Sequence, residues 1–358
     1  MEKFKLTIFG AGNVGTALAV TLTKNSDFAI QLVDHNEDAL HRARALNIDA
    51  GFRALRGGEE LDPILSDQDM AVSAVPNIAV PRIAAAAARA GVHYLDFSAA
   101  KDQTRSILEP LSQRRAVMTG CGASPGIVEN IAFGLLREFS PVSDLIIRLG
   151  AIPRYPNNRL GYGQIWNVDG LIDEYTLPSM AIRNGQLVAL SPLEDYERFC
   201  AEGVNYEAFA TSGGVDCLKL LSDSTLRNAT FKTIRYPNHL DYMRFLLDDL
   251  DLRNRRDMLK SLLYNGLPVI EDDVVLVVVT ARGYRGRQPT ERTVCHRFAS
   301  VRSLGPFNAL TQLAAGYAGS LISALQEGSI PLQGTVVQHG GEMAELLSSP
   351  YLSPLLVD

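Results

Sequence analysis

The sequence predicts an α/β protein: an N-terminal doubly wound parallel sheet of the Rossmann type, an inserted α+β domain, and a C-terminal helix that returns to the first domain. Three observations predict it. Short apolar runs alternate with helical segments through residues 1–125, a pattern that requires parallel pairing with helical crossovers. A GxGxxG loop, formed by Gly10, Gly12 and Gly15, separates the first run from the first helix. After "GCGASPG" (Gly120–Gly126) the alternation stops, and a different kind of chain follows.

Each element has a local reason. "KLTIF" (Lys5–Phe9) is a compact apolar run, and Leu18 and Leu22 of "TALAVTLTK" recur at helical spacing. "FAIQLVD" (Phe28–Asp34) is the second strand, and "NEDALHRARAL" is a polar helix started by Asn36. "IDAGFRAL" fits a short third strand, and "DMAVSAVP" is a strand stopped by Pro76. "NIAVPRIAAAAARAG" is an alanine-rich helix closed by Gly91. "VHYLDFS" and "AVMTGC" are strands, with the helix "DQTRSILEPLSQR" between them. The middle segment, residues 126–302, opens with the helix "IVENIAFGLLREF" and the strand "SDLIIRLGAIP". It then carries "GYGQIWNVDGLIDEYTLPSMAIRNG", too broken for one helix, in which Asn184-Gly185 favours a type I′ hairpin turn. Helices follow near 239–250 and 254–264, then a long antiparallel hairpin from "DDVVLVVVTARGY" and "ERTVCHRFAS". In residues 303–358, Leu310, Leu313, Tyr317, Leu321 and Leu325 share one helix face.

With 358 residues, 46% of them hydrophobic, the chain has ample material for cores. A formal net charge of -6 gives no electrostatic reason to bind nucleic acid or an anionic membrane. Cys121, Cys200, Cys217 and Cys295 form no CxxC pair, so neither a disulfide framework nor a metal site is expected. No leader pattern or membrane-length apolar run appears, which predicts a cytoplasmic protein.

The glycine loop predicts a dinucleotide. Gly10 permits a tight turn, Gly12 lets backbone approach a pyrophosphate, and Gly15 lets helix pack close on strand, with Asn13 and Val14 completing the loop. Asp34, at the end of the second strand, is placed to bind the ribose 2′-OH; no Arg follows it to receive a 2′-phosphate, so NAD is expected rather than NADP. Ligands of such sheets lie beyond the strands' carboxyl ends, which puts Val75, Pro76, Asn77, Asp96 and Ser98 around the nicotinamide.

The blocks "IFGAGNVG", "AVPNIAVPRIAAAAARAGVHYLDFS", "ASPGIVENIAFGLL", "IPRYPNNRLGYGQIWNVDGLIDEY", "IRNG", "EAFATSGG" and "TIRYPNH" span most of the chain in order. On these blocks the sequence resembles the saccharopine dehydrogenase superfamily, and most of all its lysine 6-dehydrogenase branch. The resemblance implies a nicotinamide-dependent reaction at a C–N bond of an amino acid or polyamine-like substrate, in a homodimer or higher homo-oligomer. Arg159 and Trp166 stand where that branch is expected to carry a proline and a smaller residue.

Amine oxidation needs positioning, a base and a dry pocket. His239, opening a helix whose N-terminus disfavours imidazolium, is the expected base; Tyr162 and Asp96 are the other acid/base candidates. Arg154, Arg183 and Arg235, each beside a turn, are candidates for a substrate carboxylate, and Asp169, Asp173 or Glu174 for its amine. Tyr162 and Trp166 offer a rigid apolar wall, and Thr211 and Ser212 a helix cap that doubles as an anion site. Three other readings stay open: a reductase of the saccharopine or carboxyspermidine type, a non-enzymatic NAD sensor, and a semialdehyde dehydrogenase using Cys121 as nucleophile.

Overall fold

β1 (Phe4–Phe9) has its last four residues fully buried, as a central strand of a parallel sheet requires. The computed structural model describes residues 3–214, 226–336 and 343–357. After β1 come α1 (Asn13–Leu22), β2 (Phe28–Asp34), α2 (Glu37–Arg44), β3 (Gly51–Ala54), α3 (Asp62–Leu65), β4 (Met70–Ser73), α4 (Val80–Ala90), β5 (His93–Asp96), α5 (Asp102–Ser112), β6 (Ala116–Met118) and α6 (Ile127–Leu136). The Asn36 side chain caps α2 by accepting from the amides of Asp38 and Ala39, and Gly91 ends α4 in the left-handed conformation. β1 pairs with β2 on one side and β4 on the other, all in parallel, so the strand order reverses direction between β1 and β4.

The chain divides into two units, one of Met1–Asn130, Val301–Phe307 and Thr311–Leu355, the other of Ile131–Ser300, Asn308–Leu310 and Leu356–Asp358. The second unit contains β7 (Val142–Pro153), α7 (Val168–Thr176), β8 (Ser179–Arg183), β9 (Gln186–Leu190), β10 (Glu197–Ala201), β11 (Val204–Ala210), β12 (Asn228–Arg235), α8 (His239–Arg244), α9 (Arg256–Gly266), β13 (Asp273–Arg285) and β14 (Gln288–Ala299). β8 and β9 form the expected hairpin, with Asn184 and Gly185 both at positive φ as a type I′ turn needs. The segment 239–250, expected as one helix, is α8 followed by a π-helical turn over Phe245–Asp249. β7 and β12 pair in parallel, whereas β7–β13 and β13–β14 are long antiparallel ladders.

β12 works on both faces. Thr233 and Arg235 point to one side. On the other, buried Lys232 meets Asp195 and Glu197, and Glu197 is held by Arg148 of β7 through a bidentate pair at 2.7 and 3.0 Å.

The last segment holds α10 (Ala309–Gln326), β15 (Gly334–Thr335) and β16 (Leu356–Val357). β15 pairs in parallel with β6 and completes a seven-stranded sheet in the order β15-β6-β5-β4-β1-β2-β3. β16 pairs with β14 at the edge of the second, nine-stranded sheet. α10 packs against α1: a Cβ on Gly319 would lie 3.5 Å from Thr21 and 3.7 Å from Leu22. The single apolar face expected of α10 is too narrow a description, because every residue from Thr311 to Ser323 is buried. Alanine, glycine and serine between the larger side chains let neighbours close on all sides.

The glycines of the loop have separable duties. A Cβ on Gly15 would lie 2.0 Å from the Gly10 carbonyl oxygen, whereas one on Gly12 would meet nothing within 4 Å. Gly15→Ala is expected to destabilise the fold by about 1–3 kcal/mol, as overpacking does. Gly12→Ala is expected to leave urea stability unchanged. Equal losses in the two variants would contradict this division.

Candidate active site

Two groups of residues stand out, one in each unit. In the first, Gly10 takes φ +106 and passes so near β4 that a Cβ there would lie 2.3 Å from the Ala74 carbonyl oxygen. The chain thus turns at the point where strand order reverses, which is where open α/β sheets bind ligands. Gly12 is the N-cap residue of α1, and no side chain caps that helix end. Its orphan amides and the open space at Gly12 fit the pyrophosphate of a dinucleotide. Asp34 is held rigidly: its Oδ2 accepts from the Ala11 amide at 2.6 Å and its Oδ1 from the Asn36 amide at 2.8 Å. Asn13, Pro76 and Asn77 are exposed, and Val14, Val75 and Ser98 are half-buried.

Asp96 does not suit the acid/base role. It is fully buried at the end of β5, where Oδ1 accepts from the Gly120 amide at 3.0 Å and Oδ2 from the Tyr94 hydroxyl at 2.9 Å. Its place is to brace the turn after β6. Cys121, also fully buried, puts its amide on the Asp96 carbonyl and is inaccessible as a nucleophile.

The second group grows from "GYGQIWNVDGLIDEYT". Gly161 adopts φ +62 against Tyr236, and a Cβ on Gly163 would lie 2.4 Å from Ile270. Asn167 caps α7 by accepting from the amides of Asp169 and Gly170. A Cβ on Gly170 would come within 2.5 Å of the Trp166 ring, so the indole lies directly on the first turn of the helix. α7 then delivers Glu174 and Tyr175 to the face of β12 that carries Thr233 and Arg235.

These side chains form one continuous network. Arg235 donates from Nε to the Tyr175 hydroxyl at 2.6 Å, from one terminal nitrogen to the Ile234 carbonyl at 2.9 Å, and from the other to Glu174 Oε2 at 3.4 Å. Its guanidinium lies 4.5 Å from the centre of the Tyr162 ring. Thr233 donates to Glu174, so Thr211, 2.7 Å from Thr233 Oγ1, donates in turn to Thr233. His239 Nδ1 lies 2.8 Å from the Leu160 carbonyl oxygen, which only accepts, so Nδ1 carries the proton. Nε2 is therefore the acceptor for the Tyr175 hydroxyl at 2.9 Å. Trp166 Nε1 donates to the Tyr162 hydroxyl at 3.1 Å.

Tyr162, Tyr175, Arg235, His239 and Thr211 are all 0–2% exposed. Burial, reinforced by the neighbouring Arg235 charge, pushes the His239 pKa down to about 3 against the opposing Leu160 carbonyl. The neutrality expected of His239 is thus present, but its main causes are burial and Arg235 rather than the helix end. Burial would lower the Arg235 pKa, but Tyr175, Tyr162 and Glu174 outweigh it and raise the pKa above its ordinary value. Burial holds both tyrosines in the phenol form, Tyr175 well above its ordinary value.

The network unites Tyr162, Trp166, Glu174, Thr211, Arg235 and His239 of the expected residues and leaves five aside. Arg154 pairs with Asp272 at 2.9 Å, and Asp169 with Lys260 at 2.7 Å. Arg183 donates to Thr230 and Asp195 at 2.6 and 2.8 Å. Ser212 donates to the Asp173 carbonyl at 2.8 Å, and the helix it was expected to cap lies outside the described residues. Asp173 itself pairs with Arg256 at 2.7 Å. These are local ion pairs and turn bonds that hold α7, the β8–β9 hairpin and their neighbours.

Three members were not expected. Tyr175 adjoins Glu174 on α7, and Thr233 precedes Arg235 by the two-residue period of a strand. Glu207, 1% exposed, accepts from the amides of Leu240 at 2.7 Å and Asn238 at 3.0 Å. It thereby fixes the peptide on either side of His239, where Asn238 sits at φ +76. The period-2 pattern of β12 was the available signal for Thr233. Glu207 opens the block "EAFATSGG", but nothing in that block shows that it holds the amides beside His239.

No helix of the described residues is long and apolar enough to cross a membrane. The switch-point glycine loop is that of a dinucleotide-binding domain, and the second unit holds a separate buried polar network. Comparison with known proteins places the chain further. The saccharopine dehydrogenase NADP binding domain matches residues 6–117, and the saccharopine dehydrogenase C-terminal domain matches residues 122–341. The chain belongs to the saccharopine dehydrogenase family and is an NAD(P)-dependent amino-acid oxidoreductase. Its fold is similar to that of the L-Glu-forming saccharopine dehydrogenase of Saccharomyces cerevisiae, with a TM-score of 0.76 over 96% of each chain at 16% identity. Weaker likenesses are to a Corynebacterium glutamicum myo-inositol dehydrogenase (TM-score 0.45, 13% identity, 96% of this chain and 93% of that one) and a Clostridium difficile dehydrogenase (TM-score 0.43, 11% identity, 96% of each).

The His239 shift has a measurable consequence. Below about pH 6.5 the unfolded chain takes up a proton that the folded chain refuses until about pH 3. Protons therefore favour unfolding, and this contribution to stability is lost as pH falls through that window, at up to about 1.4 kcal/mol per pH unit. Asp273 acts in the opposite sense: burial pushes its carboxyl up to about 6, so its contribution is lost as pH rises through about 6. Urea unfolding of His239→Gln against the unsubstituted protein isolates the histidine, and the variant is expected to show the shallower loss toward acid. Parallel curves would contradict the assignment.

Proposed function

We propose that the protein is an NAD-dependent dehydrogenase that oxidises a C–N bond of an amino acid, with the 6-amino group of L-lysine as the reacting amine. The observation that carries this reading is buried Arg235, set against the Tyr162 and Tyr175 rings and paired with half-buried Glu174. A zwitterionic substrate presents the complementary charges. The guanidinium uses three of its N–H groups on Tyr175, Ile234 and Glu174, out of five that such a group possesses. Its remaining donors suit a carboxylate, and Glu174 suits an ammonium. The nicotinamide, when bound, supplies the hydride acceptor. The protein's residues orient the amine, and water then converts the imine to an aldehyde. The balance is ammonium, NAD and water to aldehyde, NADH, ammonium ion and one proton.

His239 and Tyr175 act in this reading as a neutral pair that holds Arg235 in place. With Nε2 accepting from Tyr175, the imidazole is a positioning group rather than the free base that its place in the sequence suggested. The preference for NAD rests on Asp34, whose fixed carboxylate suits a ribose diol and repels a 2′-phosphate. A homo-oligomeric assembly belongs to the same reading.

The family descriptions favour a second reading, in which the protein joins an amine to a carbonyl partner at the expense of NADH. The two separate cleanly. L-Lysine with NAD alone is expected to raise the absorbance of NADH; NADH consumed only when amine and carbonyl partners are both present would replace the first reading by the second.

Tyr175→Phe is expected to lower turnover about 10–100-fold, a loss typical of removing one well-placed polar contact. NAD affinity should stay unchanged, because the cofactor loop lies in the other unit; full turnover would remove Tyr175 from the site. Asp34→Ala is expected to weaken NAD binding about tenfold while affecting NADP less, and calorimetry showing equal losses would refute the ribose assignment.

A further inference from the structure

We infer that Trp166 is the specificity-determining residue of this site and that its indole face takes the aliphatic part of the substrate's side chain. This rests on the amino-acid reading above and deepens it. Trp166 is the only tryptophan of the chain. It is 41% exposed, beside a network whose other aromatic members are 1% exposed. Its one polar atom, Nε1, is already committed to the Tyr162 hydroxyl at 3.1 Å. What the ring still presents is therefore carbon and a π face.

The ring is also fixed. The absence of a Cβ at Gly170 lets the indole lie on α7, where an added methyl would come within 2.5 Å of Cζ3 and 3.0 Å of Cη2. Tyr162, the acceptor of its N–H, lies against the Arg235 guanidinium. An amino-acid head group at Arg235 and Glu174 would thus have a rigid aromatic surface one tyrosine away. Methylene groups pack well on such a surface, and a terminal ammonium gains from the ring's negative face. The indole offers nothing to a glycine, which has no side chain, and offers no hydrogen bond to a polar side chain.

Selective excitation of the indole gives a direct reading in the full-length protein, because no other tryptophan contributes. Titration with L-lysine or L-norleucine, with and without saturating NAD, is expected to change the emission; glycine is expected to leave it unmoved. Trp166→Phe should raise KM for L-lysine about tenfold with kcat within about twofold, and Trp166→Ala should raise KM about 100-fold, the range that lost side-chain contacts produce. Gly170→Ala, which unseats the ring without removing it, should shift KM in the same direction. If L-lysine is oxidised while its KM is unchanged in Trp166→Phe and the emission of the unsubstituted protein does not respond, the inference falls and the proposed function stands. If no amino acid yields either turnover or an emission change, both fall together.

Discussion

A guanidinium taken out of water has to be neutralised and hydrogen-bonded, and the second unit is arranged around that demand at Arg235. An unpaired buried charge costs several kcal/mol, far more than any single contact returns. Glu174 supplies the opposite charge, Tyr175 an acceptor, the Ile234 carbonyl another, and Tyr162 a ring face. The other members follow from these. Tyr175 can accept from Arg235 and still donate only if a lone pair awaits its proton, and neutral His239 provides it. His239 stays neutral because it is fully buried and Arg235 is close. Each group thus fixes the protonation state of the next, and removing one leaves its neighbour buried and unsatisfied.

The first unit meets a different constraint, which is space rather than charge. Gly10 and Gly15 lie where backbone meets backbone, and no side chain fits. Gly12 borders open space, so nothing in the fold requires it to lack a side chain. Asp34 links the two purposes: one carboxylate oxygen ties down the Ala11 amide and the other the Asn36 amide. The acid proposed to face the ribose therefore also braces the glycine loop.

The alternating first third of the chain was legible because strand, loop and helix each leave a local mark there. The loop glycines, the Asn36 cap and the Gly91 stop all lie where their residue types require. The site in the second unit was legible only in part. Tyr162, Trp166, Glu174 and Arg235 share one short motif or flank a turn, and they converge. Arg154, Arg183 and Asp169 have the same residue types beside similar turns, yet each ends in an ordinary ion pair. Charge and turn position do not say which carboxylate folds up against which arginine; that is decided by pairings between strands and helices distant in sequence. The role of Glu207 was invisible for a related reason, since its shortest bonds go to backbone amides, which any sequence supplies. His239 shows the reverse case, where the right protonation state was expected from the wrong dominant cause.

β12 carries the Arg235 network on one face and the Lys232–Glu197–Arg148 ion pairs on the other. Because side chains alternate strictly along a strand, these two sets are interleaved residue by residue. Gaining or losing one residue between Ala229 and Arg235 would exchange them, sending Arg235 toward the ion pairs and Lys232 toward Tyr175. A substitution in this strand disturbs one face, whereas a change in its length disturbs both. Length variation among relatives should therefore collect in the turns that flank β12, with the strand itself kept in frame.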